Sequence, residues 1–187
     1  IATGLLAPYE NGTPVDDKML KMALARLKQL SAHEVGHTIG LMHNYAASVS
    51  NRASVMDYPH PQAKLNAAGE IDLSDAYDDK IGEWDKVAFN WGYRDFAKDT
   101  DEKKELNTIL NNAIKNGQQF ISDQDARAAG GFHPQAHLWD NGNDAVTELK
   151  QVMQVRAKAL SQFGEKNIRT GTPMAMASRI LFCVPRA

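Results

Sequence analysis

Histidine and glutamate side chains lie close together in one short segment, at spacings that suit metal chemistry. Residues 31–44 read SAHEVGHTIGLMHN, which contains His33, Glu34, His37 and His43. On an α-helix, His33 and His37 are separated by about 6 Å along the axis and about 40° around it. Both imidazoles therefore project from one face and can share a metal ion. Glu34 is adjacent to that face, where a carboxylate can accept a proton from water without binding the metal itself.

His43 can join the same metal only if the helix ends before it. In a continuous helix, His43 would lie about 9 Å beyond His37 and about 240° around the axis. Gly40 stands between them, and glycine tolerates the positive φ that turns a chain sharply at a helix end. The sequence therefore predicts a turn at Gly40 that returns His43 to the metal. Three neutral imidazoles with an open fourth position are typical of a catalytic site for one Zn²⁺ ion.

The whole pattern from His33 to His43, HExxHxxGxxH, resembles the zinc-binding motif of the metzincin metallopeptidases. A second stretch, SVMDY at residues 54–58, is similar to the Met-turn of that family, in which a methionine forms a hydrophobic base under the three histidines. Met56 holds that position here. The segments HNYAAS, SVMDYP and EWDKVAFNWGY further resemble a bacterial metzincin-like peptidase domain found in large multidomain proteins.

This resemblance implies a zinc-dependent endopeptidase, a hydrolase that cleaves peptide bonds with a zinc-activated water. Glu34 would be its general base. The metal ligands it implies are His33, His37 and His43. The alternative function is a non-catalytic zinc-binding fragment that acts as an interaction or structural module. The presence of Glu34 favours the peptidase, because metal binding alone does not require that carboxylate.

Tyr58 follows Met56 by two residues. In the astacin-like and serralysin-like branches of the family, a tyrosine at this position ligates zinc or stabilises the oxyanion of the reaction, so the resemblance implies a catalytic role for Tyr58. The structural alternative is a packed tyrosine before Pro59.

The elements that must position these residues are mostly helices. Apolar residues recur at helical spacing from Asp16 to Ile39, with Thr13 as a cap, Pro14 in the first turn and Gly40 as the end. An irregular stretch with several turn signals follows over residues 41–72. Further helices are predicted over 74–91, 101–116, 144–163 and 172–181. The predicted fold class is mainly α: a metzincin-like lower subdomain with an active-site helix, a Met-turn and extended C-terminal helices.

The domain organisation departs from the family in one respect. Metzincin catalytic domains place a mixed sheet before the active-site helix, and the edge strand of that sheet binds substrate. Here most of the residues before His33 already have a helical pattern. The interpretation is a single domain or fragment over residues 1–187, divided into 1–44, 45–72 and 73–187. The upper sheet is absent, or lies on a preceding part of a longer protein, which would then be a partner.

Composition excludes several classes of function. Lys and Arg number 21 against 23 Asp and Glu, and this balance gives no reason to expect a nucleic-acid partner. No apolar run of about 18 residues occurs, so a membrane span is not predicted. The chain begins at Ile1 without a signal-peptide pattern, and the family resemblance implies secretion or the bacterial cell envelope or periplasm. The acids Asp72, Asp75, Asp78 and Asp79 are interpreted as a solvated helix N-terminus rather than a calcium site.

Overall fold

Helices dominate the fold. The computed structural model describes residues 1–11, 13–14, 16–126, 129–130 and 133–184. The α-helices are α1 Ala2–Leu6, α2 Lys18–Thr38, α3 Glu83–Tyr93, α4 Glu102–Lys115, α5 Asp123–Ala126, α6 Ala145–Ser161 and α7 Ala177–Phe182. Single turns of 3₁₀ helix cover Ser48–Ser50, Glu165–Asn167 and Met174–Met176. The strands are β1 Tyr9–Glu10, β2 Thr13–Pro14, β3 Lys64–Leu65 and β4 Ile71–Asp72, paired β1 with β2 and β3 with β4. The prediction of a mainly α fold without a large sheet is confirmed for the described residues.

The chain divides into two compact units, each assembled from separate stretches of sequence. The first unit comprises Ile1–Arg26, Pro61–Tyr77 and Asp144–Ala187, and the second comprises Leu27–His60 and Asp78–Asn143. The division of one domain into segments 1–44, 45–72 and 73–187 stays a prediction. Within the part of the chain that the structure describes, no helix combines the length and apolar character needed to cross a membrane.

The apolar core of the first unit lies around α6. Its buried members are Leu5, Met22, Ile71, Leu73, Ala76, Val155, Ala159 and Val184. Two side-chain amides hold α1 in this core: Asn167 Nδ2 donates to Thr3 O and Gln162 Nε2 to Leu5 O, both at 2.7 Å. The sequence pattern did not predict α1, because a helix of five residues is too short to show a helical period.

Helix α2, which carries the histidine motif, begins later than predicted. Thr13 and Pro14 are not its cap and first turn, because they form β2 and pair with β1. The helix begins at Lys18, whose backbone N–H donates to Asp16 Oδ1 at 2.9 Å. An aspartate side chain that accepts from the first free N–H groups is an ordinary way to begin a helix. The pairing of β2 with β1 therefore takes the place of the predicted cap.

The other end of α2 follows the prediction. Gly40 has a φ of 82°, in the left-handed region that favours glycine. Its N–H donates to His37 O and the N–H of Leu41 donates to Gly36 O, both at 3.0 Å. These two bonds form a Schellman motif, which ends the helix and satisfies its last carbonyls. The chain reverses direction directly after the second histidine of the motif.

Helix α3 begins nine residues later than predicted, at Glu83 instead of residue 74. The four acids before it are therefore not at a helix N-terminus, and that interpretation was wrong. Asp72 belongs to β4, and its Oδ1 accepts from Ser74 N at 2.8 Å, a local bond that competes with helix formation. Asp78 and Asp79 follow in the second unit, where they form ion pairs with Arg52 and Lys28.

The remaining helices are confirmed with small changes at their ends. Helix α4 is capped by Asp101 rather than by Thr100, since Asp101 Oδ1 accepts from Lys104 N at 3.1 Å. Helix α6 begins after Asp144, whose Oδ1 accepts from Thr147 N at 2.7 Å. The segment predicted as one helix over 172–181 forms a 3₁₀ turn followed by α7.

Gly82 lies where α3 begins, in close approach to the backbone that leads into residues 54–58. A Cβ atom there would lie 2.0 Å from Ala53 O and 2.6 Å from Ser54 N. Overpacking commonly costs about 1–3 kcal/mol, and backbone cannot rotate away. We expect Gly82→Ala to lower the free energy of unfolding by about 3 kcal/mol in chemical denaturation. Gly92→Ala is the matched control on the same helix, because open space surrounds its Cβ position. That change should stabilise by about 0.5–1 kcal/mol, and equal effects of the two changes would contradict the close approach.

Candidate metal centre

The three histidines of the motif converge on one point in the second unit. Nε2 of His37 lies 3.1 Å from Nε2 of His33 and 3.1 Å from Nε2 of His43. Nitrogen ligands about 2.0–2.1 Å from a tetrahedral zinc ion are separated by about 3.3 Å. The spacing therefore fits one zinc ion. Among the described residues, these three side chains form a cluster whose ligand atoms all lie within 4.8 Å of one another.

Hydrogen bonds at the opposite ring nitrogen determine which tautomer His33 and His37 adopt. His33 Nδ1 lies 2.8 Å from Val55 O, and His37 Nδ1 lies 3.0 Å from Leu41 O. A carbonyl oxygen only accepts, so each Nδ1 carries the proton and donates it. Each Nε2 then presents a lone pair to the shared point. Metal-bound histidines ordinarily have such a partner at the second nitrogen.

The third histidine is oriented by a carboxylate. His43 Nδ1 donates to Asp123 Oδ2 at 2.6 Å, and the hydroxyl of Tyr45 donates to Asp123 Oδ1 at 2.8 Å. A carboxylate at Nδ1 fixes the tautomer of the imidazole and the orientation of its ring. Asp123 therefore acts on the metal site through His43, and Tyr45 holds Asp123 in place.

Burial keeps His33 in the form that binds metal. The side chain is 1% exposed. Its burial is the main cause that lowers its pKa, and the hydrogen bond to Val55 acts in the opposite direction. An imidazole with a lowered pKa is neutral over a wider pH range, and the neutral ring is the one with a free lone pair.

Met56 lies against α2 at the turn between His33 and His37. It is 1% exposed, and a Cβ atom added to Gly36 would lie only 2.3 Å from its Sδ. Gly36 thus provides the space that lets the methionine approach the helix. The Met-turn segment contacts the same helical turn that carries two of the three histidines.

Asp85 of α3 connects the Met-turn to the metal site. It is 3% exposed, and its carboxylate accepts from Ser54 Oγ at 2.5 Å and from Val55 N at 2.9 Å. Val55 in turn accepts from His33 through its carbonyl. Sequence reasoning missed Asp85, because an acid in the first turn of a helix has an ordinary explanation as a capping residue.

Glu34 and Tyr58 both lie next to the histidines. Glu34 is exposed on α2, adjacent to His33. The ring centroid of Tyr58 lies 5.0 Å from that of His33 and 4.9 Å from that of His43. The structure therefore brings Tyr58 to the three histidines, and Glu34 follows His33 on the same helix.

Asn44, which follows the third histidine, organises a segment from a distant part of the chain. Its side chain is fully buried. Nδ2 donates to Gln119 O at 2.9 Å, and Oδ1 accepts from Ile121 N at 3.2 Å. The segment held in this way leads into α5, whose first residue is Asp123. Asn44 thus helps to place the carboxylate that orients His43.

Removal of the Asp123 carboxylate should weaken zinc binding. We expect Asp123→Ala to reduce zinc affinity by about 10–100-fold, the usual effect of losing an outer partner of a metal-bound histidine. Competition with a chromophoric chelator measures the change. Asp125→Ala is the matched control, because Asp125 is exposed on the same short helix. If both variants bind zinc as tightly as the unmodified chain, Asp123 has no part in the site.

Comparison with known families agrees with this geometry. A family model described as Met-zincin matches residues 15–184, nearly the whole chain. The chain therefore belongs to the Met-zincin family. No curated protein and no solved structure matched it. Family membership and the histidine cluster together support a zinc-binding, metzincin-like domain of the mainly α, lower-subdomain type.

Proposed function

We propose that this chain is the catalytic part of a zinc-dependent endopeptidase. The observation that carries the proposal is the convergence of three Nε2 lone pairs, two of them from α2, the helix that also carries the exposed Glu34 directly after His33. Structural zinc sites are usually closed by four protein ligands, whereas catalytic sites use three and leave one position open. A site of three histidines beside an exposed glutamate is of the second kind.

In this proposal each residue of the site has a separate role in peptide hydrolysis. When zinc is bound by the three histidines, it supplies Lewis-acid chemistry to the water and to the peptide carbonyl. Glu34 accepts the proton of the attacking water and then donates it to the nitrogen of the leaving amine. The hydroxyl of Tyr58 donates a hydrogen bond to the developing oxyanion. Asp123, through its bond to His43, keeps that ring in the orientation that the metal requires.

The exposure of the site suits a polypeptide substrate. Glu34 and His37 are both exposed, whereas His33 is buried beneath them. A bound peptide can therefore reach the metal from the solvent side. The proposed partner is an extended segment of a protein or peptide.

A non-catalytic zinc module is the second candidate function. It is favoured by the absence of a large sheet from the described residues, since the edge strand of a sheet would hold a substrate backbone. In that case zinc would stabilise the second unit, and Glu34 would have no chemical task.

Cleavage of an unstructured protein distinguishes the two functions. We expect the zinc-loaded chain to cleave such a protein, to lose this activity when zinc is removed by a chelator, and to regain it when zinc is returned. Zinc content should be measured on the same sample. A chain that binds one zinc ion per molecule and still cleaves nothing would overturn the peptidase and support the zinc module.

A further inference from the structure

A second cluster of buried oxygen atoms adjoins the Met-turn. It contains Asp57, which follows Met56, together with Ser48 of the 3₁₀ turn and Asp140. Asp57 is 4% exposed and Ser48 is 3% exposed. The backbone N–H of Ser48 donates to the Asp57 carboxyl, and its side chain lies beside the carboxyl of Asp140. Two neighbouring stretches of chain and a third, more than 80 residues further on, therefore bring oxygen atoms to one place in the second unit.

Several oxygen atoms at this place have no hydrogen-bond partner. Ser48 Oγ and Asp140 Oδ1 are buried and make no hydrogen bond of ordinary geometry, although the Ser48 hydroxyl lies close enough to the Asp140 carboxyl to lower its pKa. Asn141 Oδ1, next along the chain, is buried and likewise without a partner. A buried polar atom without a partner costs about 1–3 kcal/mol. A carboxylate oxygen and an amide oxygen only accept, so an electron-poor group is what would satisfy them. The hydroxyl oxygen of Ser48 also has lone pairs that it can offer to such an electron-poor group.

The charges at the cluster indicate a cation. Burial raises the pKa of Asp57 to about 8, and the nearby Asp140 carboxylate adds to the rise. Burial also raises the pKa of Asp140, although the neighbouring His137 acts in the opposite direction. The buried carboxyl of Asp57 and the half-buried carboxyl of Asp140 thus lie close together where negative charge is unfavourable. A cation between them would compensate both.

We propose that Asp57, Asp140 and Ser48 form a binding site for a hard divalent cation, with calcium as the preferred ion. Every donor in the cluster is an oxygen atom: two carboxylates, a hydroxyl and, next along the chain, the amide of Asn141. Calcium takes such ligands, whereas zinc prefers nitrogen and sulfur. The site shares no ligand with the histidine cluster and does not depend on the proposed peptidase activity.

An ion at this site would fix the position of Tyr58, whose ring lies beside His33 and His43. Asp57 Oδ1 accepts from Tyr58 N at 2.7 Å, and Trp139 N donates to Tyr58 O at 3.0 Å. The rings of Tyr58 and Trp139 are in contact, with centroids 5.6 Å apart. Because Asp57 and Asp140 adjoin Tyr58 and Trp139 in sequence, the cation would hold both aromatic residues. The proposed role of the ion is therefore structural.

Calcium binding to the zinc-loaded chain tests the proposal. Equilibrium dialysis in calcium-depleted buffer should show one calcium ion per chain. Asp140→Asn should weaken the affinity by at least about tenfold, because it removes one charged ligand. Asp99→Asn is the control, since Asp99 is exposed and far from the cluster in sequence. Without calcium, Asp140→Asn should melt no lower than the unmodified chain, because the change removes one of two carboxyls that repel each other.

Terbium luminescence locates the site. Terbium replaces calcium at oxygen sites and emits when a nearby tryptophan transfers energy to it. We expect terbium emission that is sensitised by tryptophan and suppressed by added calcium. Trp139→Phe, which removes the tryptophan next to Asp140, should abolish this emission, and Trp91→Phe should preserve it.

Two results would overturn the calcium site. One is a zinc-loaded chain that binds no calcium at millimolar concentration. That result would mean that protonation, rather than a cation, removes the repulsion between the two carboxyls. The other is unchanged calcium affinity in Asp140→Asn. Zinc content and peptidase activity are measured separately from calcium binding. Failure of the calcium site can therefore be distinguished from failure of the proposed peptidase.

Discussion

Glu34→Gln should abolish most of the peptidase activity and leave zinc binding intact. Glutamine has the shape of glutamate but cannot accept the proton of the attacking water. General acid–base groups contribute about 10²–10⁴-fold to rates, so kcat/KM should fall by that factor. The carboxylate is not one of the clustered metal-ligating side chains. The zinc content of the variant should therefore equal that of the unmodified chain.

The control for this change is another exposed glutamate. Glu102→Gln alters the first turn of α4 and should leave both activity and zinc content unchanged. Rates with a fluorogenic peptide and elemental analysis on the same preparations provide the comparison. If Glu34→Gln cleaves as fast as the unmodified chain, Glu34 is not the general base and the proposed mechanism is wrong.

His43→Ala should cause the largest loss of zinc. Its Nε2 lies 3.1 Å from that of His37, so its removal takes away a direct ligand and leaves two imidazoles on one helix. We expect the loss of affinity to exceed the roughly 10–100-fold that follows from changing an outer partner such as Asp123. Chelator competition therefore ranks the variants, with His43→Ala weakest, Asp123→Ala intermediate and the unmodified chain tightest.

A histidine outside the cluster serves as the control for His43→Ala. His133 belongs to the second unit but not to the three-histidine cluster. His133→Ala should bind zinc as the unmodified chain does. Equal zinc affinity in His43→Ala and the unmodified chain would remove His43 from the site, and the predicted turn at Gly40 would then have no role in metal binding.

The part of the site that the sequence predicted is encoded within a few residues of the chain. The four-residue spacing of His33 and His37 determines their shared face, because helix geometry is regular. Gly40 signals the turn, because few other residues adopt its φ of 82°. Both inferences are local, and neither needs knowledge of the rest of the fold.

The partners of these residues could not be predicted in the same way. Asp123 meets His43 across 80 positions of sequence, and Asp85 meets Val55 across 30. No periodic pattern connects such pairs, since tertiary packing decides which distant side chains meet. The sequence offers one weak sign of these partners, which is the polar Asn44 directly after the motif. The structure shows that Asn44 is fully buried and binds the segment that leads to Asp123.

Helix ends were predicted less well than helix centres for a related reason. Ser74 N donates to Asp72 Oδ1 and Ala76 N to Leu73 O, local bonds that compete with a helix there, and α3 begins only at Glu83. Thr13 and Pro14 suit a helix start, yet they also suit a short strand and join β1. Where two local structures are both favourable, contacts with the rest of the chain decide between them.

X-ray absorption at the zinc edge tests the central claim most directly. The zinc-loaded chain should show three imidazole ligands at about 2.0–2.1 Å and a light-atom ligand in the fourth position. His43→Ala should show fewer imidazoles than the unmodified chain. A spectrum with four protein ligands, or one that His43→Ala leaves unchanged, would contradict the open three-histidine centre on which the proposed peptidase rests.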